Sequence, residues 1–243
     1  MNPVVKVISL ARSVDRRQSF AERHAGLAFE FVDAIDGKAI LHEVNNAPDL
    51  FQAGLRYSPG AFGCALSHLA LWQEAAESNY PVTVVEDDAV LRHDFQAQSE
   101  ALLAQLPEDW DLMVWAWNFD SILSLNLMPG VSRTVMLFDQ DELRRSLPAF
   151  QAMQDKPSAL RLDRCFGTPA YTISPQGARK FMLGCFPLEE FSMSMPLLTN
   201  QIPNTGIDIA MNRIYASTNS YCSLPPLAVT PNEHASSLIQ NRP

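Results

Sequence analysis

Three carboxylates stand side by side at Glu86, Asp87 and Asp88, directly after the apolar and β-branched run Val82-Thr83-Val84-Val85. That run reads as a short, mostly buried strand. Adjacent carboxylates repel: two unit charges about 4 Å apart cost roughly 4 kcal/mol at an effective dielectric near 20. A structural core gains nothing from this. Such a group sits in water at the strand end, raises its own pKa, or holds a cation. Side chains alternate along an extended chain, so Glu86 and Asp88 are expected on one side and Asp87 on the other. Two carboxylates on one side suit a hard divalent ion, Mg²⁺ or Mn²⁺, which takes oxygen ligands and keeps some waters. That ion would relieve the repulsion and leave positions open for a diphosphate. The competing reading is a solvated acidic strand end that runs into a turn.

Other residues carry weaker signals. Arg12, Arg16 and Arg17 follow the first apolar run and could contact a phosphate; for Arg16 and Arg17, solvated helix charges are the favoured alternative. Cys64 and His68 are four apart and share a helix face, but two ligands do not make a zinc site, and a packed, hydrogen-bonded core histidine is the preferred reading. Ser67-His68 lacks a G-x-S-x-G elbow, so a hydrolase triad is unsupported. Neither G-x-x-x-x-G-K-[ST] nor G-x-G-x-x-G occurs, which weakens P-loop and dinucleotide-binding readings. Asp208, after Gly206-Ile207, reads as a helix-start carboxylate or a general base. His234 could be a late metal ligand, with a surface histidine the favoured reading.

The elements that must position these groups follow an alternating pattern. Residues 4–10 and 28–37 read as strands, the second ending in the turn Asp36-Gly37, with a helix over 13–25 between them. Residues 38–60 read as loop with short helical pieces. Residues 62–78 carry Ala65, Leu66, Leu69 and Trp72 near the 3.6 period of a helix. The acidic strand comes next, then a helix over 95–106 and a strand over 109–117. This β-α-β-α-β-α-β order predicts an α/β fold with a mainly parallel sheet flanked by helices. Residues 118–165 lose the pattern and read as an irregular insertion, with a helix near 140–155. A strand over 168–174, a helix over 175–185 and a short helix over 206–216 follow. The Pro/Ser/Asn-rich stretch from 217 onward reads as a tail wrapping the surface.

At 243 residues the chain suits one domain, with a formal net charge of −9 and 47% hydrophobic residues. That charge argues against nonspecific binding to DNA or to anionic membrane. The four cysteines, Cys64, Cys165, Cys185 and Cys222, are widely spaced and contain no CxxC, so reduced and partly buried thiols are expected. The N-terminus lacks a long apolar stretch with a cleavage site, and no run of roughly 18 apolar residues exists. A cytoplasmic protein is expected, with at most peripheral contact to the cytoplasmic membrane face.

Taken in order, five segments resemble glycosyltransferase family 25, the lipopolysaccharide and lipooligosaccharide glycosyltransferases. They are VISLARSVDRRQSF, FEFVDAIDGKAI, GAFGCALSHLALW, VVEDDAVLRHDF and GTPAYTISPQGARKF. The resemblance implies a GT-A-like fold, a UDP-sugar donor with galactose as the expected hexose, and a saccharide acceptor on a lipid-linked oligosaccharide. It further implies Mn²⁺ or Mg²⁺ at the acidic motif, with Asp88 the first-choice ligand and Glu86 the second. Ser9, Arg12, Asp36 and Asp87 are then expected on the donor, Asp87 at its ribose or sugar. The family commonly transfers with inversion, which needs a carboxylate base. Asp208 is the first choice for that base, with Glu189 and Glu190 as alternatives. The chain is then read as one glycosyltransferase domain with a nucleotide-sugar half (1–117), a variable insertion (118–165) expected to shape the acceptor pocket and not inherited from the resemblance, and an acceptor-side half with tail (166–243). Trp115 and Trp117 are candidates for stacking on sugar, against core packing. Two positions depart from the family pattern. Ser9 stands where Asn is usual, and Gly60-Ala61 where Gly-Glu is usual. They keep two other readings open: a catalytically inactive nucleotide-sugar-binding protein, and a metal-dependent phosphoester hydrolase.

Overall fold

Neighbouring residues of the central strands sort into two separate cores, and this is why their sequences are largely apolar on both faces rather than strictly alternating. Val7, Val85, Met113 and Trp115 join one cluster with Phe20, Phe95 and Leu102. Ile8, Val84, Leu112 and Val114 join the other with Trp72, Ala75 and Phe181. A strand covered on both faces needs apolar side chains at every position rather than at alternate ones. The structure, a computed structural model, describes residues 4–232 except Asn45, Leu198 and Asn200. His234 lies outside the described residues.

The first elements are β1 (Val5–Ser9), α1 (Val14–Arg23), β2 (Phe29–Asp33) and α2 (Gly37–Val44). Next comes α3 (Pro59–Ser78), the long helix predicted from its apolar period. Its N-terminus is fixed by Ser58, whose Oγ accepts the Ala61 N–H at 3.1 Å, with Pro59 in the first turn. Asn79, in the left-handed conformation (φ 58), ends it. Then follow β3 (Val82–Glu86), β4 (Val90–Leu91), α4 (Phe95–Leu103) and β5 (Leu112–Ala116). The middle of the chain holds β6 (Ile122–Met128), β7 (Ser132–Leu137), α5 (Gln140–Arg145), α6 (Leu147–Gln151) and β8 (Ser158–Arg164). The remainder is β9 (Ala170–Ile173), α7 (Pro175–Cys185), β10 (Ser192–Ser194), β11 (Gln201–Pro203), α8 (Ile207–Met211), β12 (Ser220–Leu224) and β13 (Ala228–Val229).

A nine-stranded sheet in the order β2-β1-β3-β9-β5-β12-β8-β6-β7 organises the chain. From the pairings, β1, β2, β3, β5, β6 and β12 run one way, and β7, β8 and β9 run against them. The sheet is therefore mainly parallel in strand direction, as the alternating sequence predicts. The reversed β9 sits between β3 and β5 and brings the segment before it, residues 165–169, to the carboxyl end of β3. The fold is α/β and GT-A-like.

Three readings change. The insertion at 118–165 is largely ordered: β6, β7 and β8 extend the sheet, with α5 and α6 between them. The described part of the stretch from 217, residues 217–232, is no surface tail, because β12 pairs with β5 on one side and β8 on the other. Ser220 and Ser223 are fully buried there, so polar composition hid an interior strand. Finally, Trp115 and Trp117 are both fully buried. The Trp115 indole N–H donates to Thr172 Oγ1 at 2.7 Å, and Trp117 packs with Phe119 and Phe138. Neither ring presents a face to a sugar.

Candidate functional site

Three segments meet where β3 ends. The strand delivers Glu86, and a tight turn follows in which the Ala89 N–H donates to the Glu86 carbonyl at 3.0 Å. Asp87 and Asp88 sit in that turn. From the side, α3 contributes Cys64, Ser67 and His68. Its close approach depends on two glycines: a Cβ on Gly63 would lie 2.3 Å from the Ile35 carbonyl oxygen, and one on Gly37 would overlap the Pro59 carbonyl. From above, Gly167 (φ +81) turns the chain into β9 and places Thr168 beside Glu86.

The three carboxylates have different surroundings. Asp87 faces α1 and β1: Ser9 Oγ donates to its Oδ2 at 2.6 Å, and the Arg16 guanidinium pairs with its Oδ1. Glu86 faces α3 and β9: Thr168 Oγ1 donates to its Oε1 at 2.7 Å, and His68 Nε2 lies 3.5 Å from the same oxygen. Burial pushes the Glu86 carboxyl up, but His68, Thr168 and Arg16 outweigh it and hold the group below its ordinary value. Asp88 has only a distant charge partner, Arg16 at 3.6 Å. Its Oδ1 is buried without a hydrogen-bond partner among the described residues. Burial, then the Glu86 charge, pushes its pKa up to about 7, with Arg16 opposing. Although 43% of the Asp88 side chain is exposed, this one oxygen is turned inward.

Asp208 lies in the first turn of α8 and comes to the same place. Its Oδ2 accepts the Gly167 N–H at 2.9 Å. Burial holds its pKa above the ordinary value; the Gly167 and Ile209 N–H groups oppose this and the Glu86 charge adds to it. The charges of Glu86, Asp208 and Asp88 all bear on the Cys64 thiol, which burial has already pushed well up. Negative potential thus converges on one small volume. Oxygen donors with an orphaned, inward-facing carboxylate oxygen fit a hard divalent cation.

Other predicted residues lie further out. Arg12 pairs with Asp36, and that contact, made first by hydrogen bonding, holds the Asp36 carboxyl low. Glu189 pairs with Arg213 at 2.5 Å and Glu190 with Arg56 at 2.8 Å. Each is thus held by an arginine rather than by the acidic cluster. Arg16, read from sequence as a solvated helix charge, instead pairs with the cluster at Asp87 and Asp88. Arg17 is also engaged, donating to the Ser9 carbonyl at 2.7 Å and pairing with Asp33. Sequence reasoning passed over Thr168 and Tyr171, although both lie in the GTPAY segment. The two family departures have structural uses: Ser9 orients Asp87, and Ala61 packs in the core beneath the first turn of α3.

An α/β sheet with buried carboxylates beyond the carboxyl end of a strand places its ligand site where open sheets usually do. Residues 2–190 match glycosyltransferase family 25 (LPS biosynthesis protein), and the chain belongs to that family. Among curated proteins it is similar to the probable inactive glycosyltransferase 25 family member 3 of Bos taurus, at 26% identity over 219 residues, covering 82% of this chain and 32% of the relative. It is also similar to procollagen galactosyltransferase 2 of Mus musculus, at 27% identity over 214 residues, covering 81% and 30%. A third relative is procollagen galactosyltransferase 1 of Danio rerio, at 24% identity over 223 residues, covering 82% and 32%. The chain thus spans about a third of the length of these relatives. Among the described residues, no helix is long and apolar enough to cross a membrane.

Proposed function

We propose that this chain is a metal-dependent glycosyltransferase that moves a hexose, galactose in the first instance, from a UDP-sugar to a saccharide acceptor of lipopolysaccharide or lipooligosaccharide, with inversion. The observation that carries the reading is the inward-facing, unpartnered Oδ1 of Asp88 beside Glu86 and Asp208, in a member of this family. Asp88, with Glu86, would hold Mn²⁺ or Mg²⁺. A bound cation there neutralises charge on a leaving diphosphate. Asp87, fixed by Ser9 and Arg16, presents the donor side of the strand end. Asp208 takes the proton of the acceptor hydroxyl as its oxygen bonds to the anomeric carbon and the bond to UDP breaks on the opposite face. Burial raises the proton affinity of Asp208, which suits a base. The galactose assignment leans on relatives named as galactosyltransferases.

A second reading, a nucleotide-sugar-binding protein without turnover, is favoured by the relatives named inactive and by the Ser9 and Ala61 departures. One assay separates these readings from a phosphoester hydrolase. UDP release is followed across a panel of UDP-sugars with Mn²⁺, with and without saccharide acceptors. Acceptor-stimulated release is the expected outcome. Binding without release would establish the inactive protein, and acceptor-independent phosphate release the hydrolase.

A further inference from the structure

A second set of ligand-type atoms lies behind the carboxylates. Cys64 and His68 stand one turn apart on α3, and Glu86 closes the set from β3; one ligand atom from each lies within 4.8 Å of the other two. We propose that Cys64, His68 and Glu86 form a cation position of their own, suited to a borderline-soft divalent ion of the zinc class, next to the oxygen-donor position at Asp88.

The donor set argues first. Thiolate sulfur, imidazole nitrogen and carboxylate oxygen are the ligands zinc takes, and three of them leave a fourth position for water. Distances argue second. His68 Nε2 is 3.5 Å from Glu86 Oε1 and 3.3 Å from Thr168 Oγ1, both long for a hydrogen bond. Two ligands on one tetrahedral ion, with bonds of about 2.0–2.1 Å, stand about 3.3 Å apart. The supports argue third. The other ring nitrogen, Nδ1, lies 2.8 Å from the Tyr171 hydroxyl, which also accepts the Trp72 indole N–H at 2.8 Å. An outer hydrogen bond on the non-ligating nitrogen is the common support of a ligating histidine. Thr168 fixes Glu86 in the same way. Charge argues last. Burial first, then the charges of Glu86, Asp208 and Asp88, disfavours the thiolate of Cys64. A cation reverses that influence: the thiol proton leaves to solvent as the sulfur–metal bond forms, and no electron is transferred. The ion would clamp α3 to the end of β3.

The test is a Co²⁺ titration of the chelator-treated full chain, read by absorption. The expected result is a one-to-one near-ultraviolet thiolate-to-cobalt band with visible bands of a four-coordinate ion, reversed by Zn²⁺. That band is lost in Cys64→Ser and retained in Asp88→Asn. Zn²⁺ also raises the Tm of the wild type and of Asp88→Asn but not that of Cys64→Ser. If Cys64→Ser does not fold, His68→Gln is measured in its place, and it must lose the four-coordinate spectrum. No near-ultraviolet band in the wild type, or a band persisting in Cys64→Ser, overturns the proposal. Loss of the band in Asp88→Asn overturns the claim of a separate position. UDP-sugar binding with Mn²⁺, measured on the same proteins, reports on the glycosyltransferase reading independently.

Discussion

The two sides of one strand end behave differently. On the outer side, Asp87 is satisfied by Ser9 and Arg16, so its charge is matched and its geometry fixed. On the inner side, Glu86 and Asp88 draw on the same Arg16, whose guanidinium is turned to Asp87; Asp208 is met by backbone N–H groups, and Asp88 keeps an orphaned oxygen. A matched charge contributes stability, and an unmatched buried one costs it. The comparison therefore separates a supporting side from a working side within three consecutive residues.

Substitutions can break that comparison. The largest effect is expected at Asp208→Asn, where turnover should fall roughly 10²–10⁴-fold while UDP-sugar affinity stays unchanged. Steady-state kinetics beside calorimetry would check it, and wild-type turnover would remove Asp208 as the base. Asp88→Asn should weaken Mn²⁺-dependent UDP-sugar binding by at least the roughly 10–100-fold that losing even an outer-shell partner costs. Unchanged affinity in calorimetry would remove Asp88 as a ligand. On the outer side the balance reverses. Ser9→Ala should cost about 1–3 kcal/mol of stability through the buried Asp87 oxygen it leaves short of a donor. Urea unfolding reads this, and a midpoint equal to wild type would contradict it.

Proton linkage sharpens the contrast. The Asp88 pKa is raised from 3.8 to about 7 by burial and by Glu86. The folded, cation-free protein therefore holds this proton more tightly than the unfolded chain does. The stability this gives is complete below the unfolded value and is lost as pH rises through about 7. Asp88→Asn, which cannot ionise, should gain on the wild type over that interval. Thermal unfolding without cation should show a larger gain at pH 8 than at pH 4.5, and a constant difference would refute the assignment. Cation affinity of the wild type should weaken as pH falls below about 7. The smallest effect is expected at Arg56→Ala, which breaks an exposed pair with Glu190 and should cost less than about 1 kcal/mol. A drop in turnover there would bring Glu190 back as a catalytic candidate.

What the sequence made legible were groups whose signals are local. The alternation of β1, α1, β2, α3, β3, α4 and β5 was readable because each element carries its own period or cap. Opposite placement of Glu86 and Asp87 followed from strand geometry, which holds up to Glu86, the last residue of β3. Asp88 lies beyond, in the turn, and its inward oxygen depends on tertiary packing that alternation does not specify. β12 was missed because polar residues such as Ser220 are buried there, Ser220 Oγ lying 2.7 Å from Thr218 Oγ1, and composition alone does not show it. Arg16 looked like a solvated helix charge because its partner, Asp87, is 71 positions away in sequence. Thr168 and Tyr171 were hidden for the same reason, since the reversed strand β9 and the segment before it bring Tyr171 to His68 across 103 residues and Thr168 to Glu86 across 82.

The placement of β12 also bears on how the polypeptide is made. Its five residues, Ser220–Leu224, fill the slot between β5 and β8, yet they are among the last of the described chain to be synthesised. While the ribosome is still translating them, β5 and β8 each present an open hydrogen-bonding edge to solvent or to a chaperone. Truncation just before Ser220 would not trim an appendage; it would leave the sheet in two halves with nothing to join them.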